Sequence, residues 1–316
     1  MADGSDFARS GKFKNPEWTA KGEKRATVGL KQLETLWFNT GTLCNIACAN
    51  CYIFSSPTND ALVYLTLDEV TRYLDEVADG GYETREIGFT GGEPFMNPDM
   101  CAMAEACLSR GFDVLILTNA MRPMMRKPVQ QPLAQLAKTY GEKLTLRVSL
   151  DHYTAEHHDT ERGDHAFERA MEGMRWLRDN GARMSAAGRT MWGEDEATAR
   201  QGFADLFRAE GFQIDAQHPA ELVLFPEMDE MADVPEITTA CWGILDKSPD
   251  DVMCASTRMV VKRRGAEAPA VLACTLLAYD PQFELGETLA EADREVPLNH
   301  PHCAKFCVLG GAKCSA

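Results

Sequence analysis

Nowhere in these 316 residues is there an uninterrupted apolar run long enough to span a bilayer, and no apolar segment of the kind export signals carry follows the N-terminus. The expectation is a cytoplasmic protein with no membrane partner. Basic charge is also short, with 32 Lys and Arg against 48 Asp and Glu, a formal net charge of -16. A nucleic-acid-binding face needs a basic footprint to neutralise phosphates, so nucleic acid is excluded as a partner and the acidity reads as a solvated surface. Cysteine, by contrast, is plentiful: there are 11. In a reducing compartment so many thiols argue for metal ligation rather than a disulfide framework. The length allows one large core, or a core domain with a small appendix.

Three of the cysteines stand close together. Cys44, Cys48 and Cys51 have C-x3-C-x2-C spacing in one short stretch, and three thiolates there can hold one iron-sulfur cluster. A 4Fe-4S cluster takes four ligands, so one iron would stay open to an exogenous group. Two plainer readings compete. Cysteines at i, i+4 and i+7 also line one face of a buried helix, and thiolates also bind zinc.

Residues 1–30 are polar, carry Lys12, Lys14, Lys21, Lys24 and Arg25, and show no helical or strand period, which suggests a mobile arm or an edge wrap anchored by Trp18. From Glu34 onward short apolar runs alternate with amphipathic helices, the pattern of βα units around a parallel sheet. Strands are predicted over 36–38, 87–89, 114–117, 144–150, 184–187 and 222–225. Thr66-Leu67-Asp68-Glu69 reads as a capping box, and a helix over 166–180 is closed by Gly181. Cys107 falls on the apolar stripe of a helix that starts near Asn97-Pro98, with Cys101 beside it, so neither is assigned to a metal. The fold class is α/β: a partial (β/α)6 TIM-like barrel over 31–230, then a small cysteine-rich α+β extension over 231–316.

The unusual residues fall at or just after predicted strand ends: the three cysteines, Gly91-Gly92-Glu93, Thr118-Asn119, Ser149 and Asp151, Gly188-Arg189, and Pro226-Glu227. In a parallel barrel those ends gather on one face, which holds the active site. Over about residues 34–228, these motifs and the segment from His157-His158-Asp159 to Arg162-Gly163 resemble the radical SAM superfamily. The resemblance implies that the cysteine loop ligates a 4Fe-4S cluster whose open iron binds S-adenosyl-L-methionine, and that one electron cleaves the sulfonium to a 5'-deoxyadenosyl radical. It further implies cofactor contacts from Gly91, Gly92 and Asn119, from Glu93 to the amino group, from Ser149 and Asp151 to the ribose hydroxyls, and from Arg189 to the carboxylate. Three residues depart from the family pattern. Asn50 stands where an aromatic residue or His is usual, which moves adenine stacking to Tyr52. Ala120 and His152 stand where glycines are usual, which puts the turn geometry in question and leaves His152 and Tyr153 as substrate-side candidates.

Six further cysteines follow Glu227: Cys241, Cys254, Cys274, Cys303, Cys307 and Cys314. Two apolar runs around Arg264-Gly265 predict a hairpin that would bring Cys254 and Cys274 together, with Cys303 and Cys307 as the other pair. This region, with Leu285-Gly286, resembles the SPASM/Twitch extension of radical SAM enzymes and implies an auxiliary 4Fe-4S cluster on Cys254, Cys274, Cys303 and Cys307. Structural zinc, unligated thiols and a ligand role for Cys314 stay open, and Cys241 is unassigned. The expected function is a radical SAM oxidoreductase or tailoring enzyme, acting on a small-molecule or peptide substrate and fed by an external electron donor such as a flavodoxin or ferredoxin. A non-catalytic iron-sulfur protein and a zinc-stabilised interaction module are the competing classes. No catalytic acid or base is singled out among His152, Tyr153 and Glu227.

Overall fold

The structure, a computed structural model, describes residues 11–227, 229 and 231–310. After a short β1 (Thr27–Val28), the chain alternates through β2 (Thr35–Asn39), α1 (Leu67–Asp79), β3 (Glu86–Thr90), α2 (Met100–Ser109), β4 (Asp113–Thr118), α3 (Lys127–Tyr140) and β5 (Leu144–Ser149). There follow α4 (Ala155–Arg162), α5 (Ala166–Asp179), β6 (Arg183–Arg189), α6 (Glu196–Glu210) and β7 (Leu222–Phe225). Strands β2 to β7 lie side by side in chain order, all parallel. The six strands expected from the apolar runs are all present, and Thr66 caps α1 with Glu69 in the reciprocal box.

Two-residue alternation sorts the side chains of β2. Leu36 and Phe38 pack into the core under the helices, while Trp37 points the other way into a second cluster inside the curved sheet, with Leu115, Met259 and Phe306. Gly88 pairs with Trp37 in register, and a Cβ there would come within 2.4 Å of the indole. Glycine at 88 therefore gives the ring its room.

The C-terminal region comprises α7 (Cys241–Leu245), β8 (Thr257–Val261), β9 (Ala270–Leu272), β10 (Glu284–Gly286) and β11 (Val296–Pro297), then a π-helical turn over Cys303–Leu309. It does not form its own sheet. β8 pairs parallel with β2, and β9 and β10 add antiparallel beyond it, giving one nine-stranded sheet in the order β10-β9-β8-β2-β3-β4-β5-β6-β7. The boundary expected near residue 230 is thus crossed by continuous strand pairing. At the far edge Phe306 stacks on Phe225, centroids 5.7 Å apart and planes 13° apart, so the last turn packs against the end of β7.

The described part of the N-terminal segment wraps the edge, as β1 pairs with β11. Arg25 is fully buried and meets Glu236 at 2.5 Å. Trp18 is not the anchor: it is 47% exposed with Lys24 over its ring, while Phe13 is buried. Among the described residues no helix is long and apolar enough to cross a membrane.

Candidate functional site

The cysteine loop leaves the end of β2 and folds over the ends of β3 to β6. Cys44, Cys48, Cys51, Gly91, Gly92, Thr118, Asn119, Ser149, Arg162 and Arg189 line one cavity there. The glycine pair is what lets two backbones close up. A Cβ on Gly91, whose φ is +142°, would lie 2.6 Å from the Gly41 carbonyl oxygen, and one on Gly92 would lie 2.3 Å from that of Leu43. Gly92 N–H donates to Gly41 O at 2.9 Å, which fixes the start of the loop.

The rest of the loop is tied down from three sides. Asn119 donates through Nδ2 to Asn45 Oδ1 at 3.0 Å. Ala49 N–H donates to the Glu161 carbonyl at 2.8 Å, and Asn50 Nδ2 sits 2.9 and 3.1 Å from the two carboxylate oxygens of Glu161. Arg189 donates through Nη2 to Asn50 O at 2.8 Å. Asn50, where the family usually has an aromatic residue or His, is therefore a polar latch to the end of α4.

A buried charge cluster stands behind that latch. Arg162 grips Asp151 with both arms of its fork, at 2.6 and 2.9 Å, and Arg189 Nε lies 3.3 Å from the same carboxylate. Burial pushes the Asp151 pKa up, but the two arginines outweigh it and hold it below the ordinary carboxylate value. For Arg162 burial acts downward and Asp151 wins, so its pKa is raised. Both arginines also act to stabilise the Cys48 thiolate, although burial keeps that thiol above its ordinary value.

These residues fit a polynuclear metal group. Burial raises Cys44 to about 12, so its thiolate is unfavourable unless a cation accepts it. Ser55 lines the same cavity, and its buried hydroxyl has no partner among the described residues, which suits a donor to a thiolate or an inorganic sulfide. Among the described residues no three His, Cys, Asp or Glu side chains converge as the ligands of a single metal ion would. Cys44, Cys48 and Cys51 share the lining of one cavity, where a cluster could be held by all three.

Most of the sequence-predicted residues meet here, some in unforeseen roles. Gly91, Gly92, Asn119, Ser149, Arg189 and Tyr52 line the cavity, and the Tyr52 hydroxyl is 3.2 Å from Thr90 Oγ1. Glu93 does not line it. Its Oε1 accepts from Thr118 Oγ1 at 2.8 Å and Phe95 N–H at 3.2 Å, and its Oε2 accepts from Asn119 N–H at 2.8 Å, so both oxygens brace the neighbouring strand end. Burial lifts this carboxyl to about 7. Asp151 and Ser149 share an adjoining cavity, as their alternation implies, but the oxygens of Asp151 are engaged by arginine.

His152 and Tyr153 are not on the cavity wall. His152 Nε2 meets Glu194 at 2.8 Å, Tyr153 donates to the same carboxylate at 3.0 Å, and the two rings stack at 4.1 Å beside His157 and Trp192. Glu227 is exposed and also lies off the wall. Ala120 has a left-handed backbone, φ +56°, a conformation that glycine adopts more readily. Arg162, Glu161, Thr90 and Ser55 were not foreseen; the first two end the His157-to-Gly163 segment that carries part of the resemblance, and Thr90 precedes the glycine pair.

A second, smaller cavity lies beside the β8–β9 hairpin. Cys254, Cys274, Cys303 and Cys307 all line it, with Met253, Leu276, Phe283 and His302. The hairpin brings Cys254, before β8, and Cys274, after β9, to the same end, as the two apolar runs predicted. Burial pushes Cys254 up to about 11 and Cys303 well above its ordinary value, the latter reinforced by Cys254 and Cys274. Cys241 is elsewhere, accepting from Thr238 N–H at 3.3 Å, and Cys314 lies outside the described residues. Cys107 is core, as expected, and Cys101 is half-buried against it.

Comparison with known proteins agrees with this geometry. The model of the radical SAM superfamily matches residues 38–196, about half the chain. The antilisterial bacteriocin subtilosin biosynthesis protein AlbA of Bacillus subtilis (strain 168) is 33% identical over 154 residues, 47% of this chain and 32% of that protein. The AdoMet-dependent heme synthase of Methanosarcina barkeri is 32% identical over 136 residues, 43% of this chain and 36% of that protein. The chain thus spans about a third of the length of the curated relatives it matches. Among solved structures, Streptococcus suis SuiB bound to S-adenosylmethionine superposes with a TM-score of 0.57 at 12% identity, over 81% of this chain and 63% of that one. Polyhistidine-tagged anSMEcpe with bound AdoMet gives 0.58 at 14%, over 82% and 77%. At such identities the two structures speak for the fold, and the family model, which spans the cysteine loop and the polar strand ends, speaks for the kinship: the chain belongs to the radical SAM superfamily, whose cofactors are a 4Fe-4S cluster and S-adenosylmethionine.

Proposed function

We propose that this chain is an enzyme that reductively cleaves S-adenosylmethionine and uses the resulting 5'-deoxyadenosyl radical to take a hydrogen atom from a bound substrate. A 4Fe-4S cluster on Cys44, Cys48 and Cys51 would supply the electron and an open iron for the cofactor's amino and carboxylate groups. The protein's own part is positional. Arg162 and Arg189 set positive charge against the thiolates, Glu161 and Asn119 fix the loop that carries them, and Ser149 offers its hydroxyl beside the glycine pair. Cys254, Cys274, Cys303 and Cys307 suit a second 4Fe-4S cluster, since four soft thiolates leave no open iron there.

One observation carries the reading: the cysteine cavity adjoins a second cavity inside the curved sheet, and the two share much of their walls. Tyr52, Thr90, Leu117, Ser149, Arg162 and Arg189 belong to both walls. An electron carrier has no use for such a space next to its cluster, which disfavours a non-catalytic role. The relatives' printed functions, bacteriocin biosynthesis and heme synthesis, together with SuiB bound to its precursor peptide, favour a peptide or small-molecule substrate. An external donor such as a flavodoxin or ferredoxin would deliver the electron. Anaerobic reconstitution, reduction with dithionite and addition of S-adenosylmethionine should yield 5'-deoxyadenosine by chromatography; none, at full iron content, contradicts the proposal.

A further inference from the structure

We propose that the substrate presents an uncharged apolar group to the cavity inside the curved sheet, and that Leu276 sets which group fits. This rests on the enzymatic reading above and adds to it the chemistry of what is bound.

Beyond the wall it shares with the cysteine cavity, this space is bounded by Trp37, Ala187, Phe225 and Leu276. Ionisable residues are present, and each is engaged by groups of the protein. Asp151 is held by Arg162 and Arg189, and Arg189 also reaches the Asn50 carbonyl. Arg147, 3% exposed, donates through Nε to Ser185 Oγ at 3.3 Å and through Nη2 to the Ala220 carbonyl at 3.2 Å. Arg162 and Arg189 also line the cysteine cavity, on the side of Cys44, Cys48 and Cys51. A cation brought here would meet Arg147, Arg162 and Arg189, and an anion would have to compete with Asp151 for the last two, whereas an apolar group gains contact with Trp37, Phe225 and Leu276.

The neutral polar lining includes the Ser149 hydroxyl, which an amide group on the substrate matches. The walls differ in rigidity. Phe225 is backed by its stack on Phe306, and Trp37 is wedged against Gly88. Leu276 lies in the segment after β9, where its N–H donates to Cys274 Sγ at 3.4 Å, and it borders both this cavity and the one the four C-terminal cysteines line. It is the thin partition between them, so its size and polarity act directly on whatever occupies the larger space.

The test uses the reconstituted holoenzyme with S-adenosylmethionine and no reductant, and measures binding by calorimetry. N-acetyl-leucinamide should bind saturably and at least about tenfold more tightly than N-acetyl-glutamate. Leu276→Asp should abolish that preference, Leu276→Met should keep it within about threefold, and Leu276→Ala should shift it about fivefold toward N-acetyl-tryptophanamide. If Leu276→Asp does not fold, the Met and Ala variants still decide. After reduction, side-chain-deuterated N-acetyl-leucinamide should transfer deuterium to 5'-deoxyadenosine. Equal binding of the glutamate probe, no saturable binding of the leucine probe, or an unchanged preference in Leu276→Ala overturns the proposal. Because binding is read before reduction, a failure to form 5'-deoxyadenosine would count against the enzymatic reading alone.

Discussion

The two cysteine-lined cavities use the same side chain under different conditions. Around Cys44, Cys48 and Cys51 the wall is mixed, with Ser55, Thr118, Asn119, Arg162 and Arg189 among the lining, and it adjoins the larger space inside the sheet. Around Cys254, Cys274, Cys303 and Cys307 it is small and nearly all apolar, closed by Met253, Leu276 and Phe283. Three sulfurs leave a coordination position for chemistry; four complete the metal's own shell. The contrast extends to what holds each site, since hydrogen bonds and a buried ion cluster fasten the first, whereas strand pairing and burial fasten the second.

Removing the ion cluster should therefore separate the two. Arg162→Ala leaves Asp151 buried with only Arg189 beside it, a change that costs about 3 kcal/mol. Urea unfolding should show that loss, with iron falling at the first site and holding at the second. Equal loss from both sites would erase the distinction drawn here.

A pH titration sharpens the same contrast. Burial, followed by the neighbouring Arg162, lowers His158 from its ordinary 6.5 to about 4, and its Nδ1 accepts the Asp151 N–H. A depressed value means the neutral ring is favoured in the folded state. Its stabilisation is present above pH 6.5 and is lost as pH falls toward 4, about 2 kcal/mol between pH 7.5 and 5. His158→Phe should be less stable at pH 7.5, for want of the acceptor, yet lose less on acidification. Parallel pH profiles for the two proteins would contradict this.

Gly173→Ala sets two effects against each other. Alanine favours a helix by about 1 kcal/mol over glycine, but its Cβ would lie 1.8 Å from the Ala120 carbonyl oxygen, beside the left-handed turn that follows Thr118-Asn119. Overpacking should win, lowering stability by a net ~1 kcal/mol, and the 5'-deoxyadenosine yield should fall as the turn shifts. A stabilised variant would show that α5 can move away without cost. Least of all should come from Cys101→Ala. This thiol is half-buried beside the core and lines neither site, so iron content should be unchanged and stability should move by no more than about 1 kcal/mol.

What was legible in the sequence followed from locality. Three sulfurs within eight positions, a capping box at Thr66 and alternating apolar runs are short-range patterns, and the cysteine loop, α1 and all six barrel strands formed as they predicted. Thr257–Val261 reads as a strand, but no local feature says that it pairs with β2, more than 200 residues earlier, so the extension looked like a separate unit. Glu93 shows the same limit. Its type and place after the glycines suit a ligand contact, and no local pattern says that its oxygens bond to Thr118 and Asn119, at the end of the next strand. Arg162 was missed because its partner Asp151 lies across the turn into α4, where spacing along the chain does not reveal a fork-to-carboxylate contact.

Iron and sulfide per chain, measured with the electron paramagnetic resonance signal before and after S-adenosylmethionine, tests the central distinction most directly. The intact protein should carry about eight iron atoms, and both the combined Cys44→Ala, Cys48→Ala, Cys51→Ala variant and the combined Cys254→Ala, Cys274→Ala, Cys303→Ala, Cys307→Ala variant should carry about four. Only the second variant should keep a spectrum that the cofactor perturbs. A perturbation that survives loss of the first three cysteines would contradict the account.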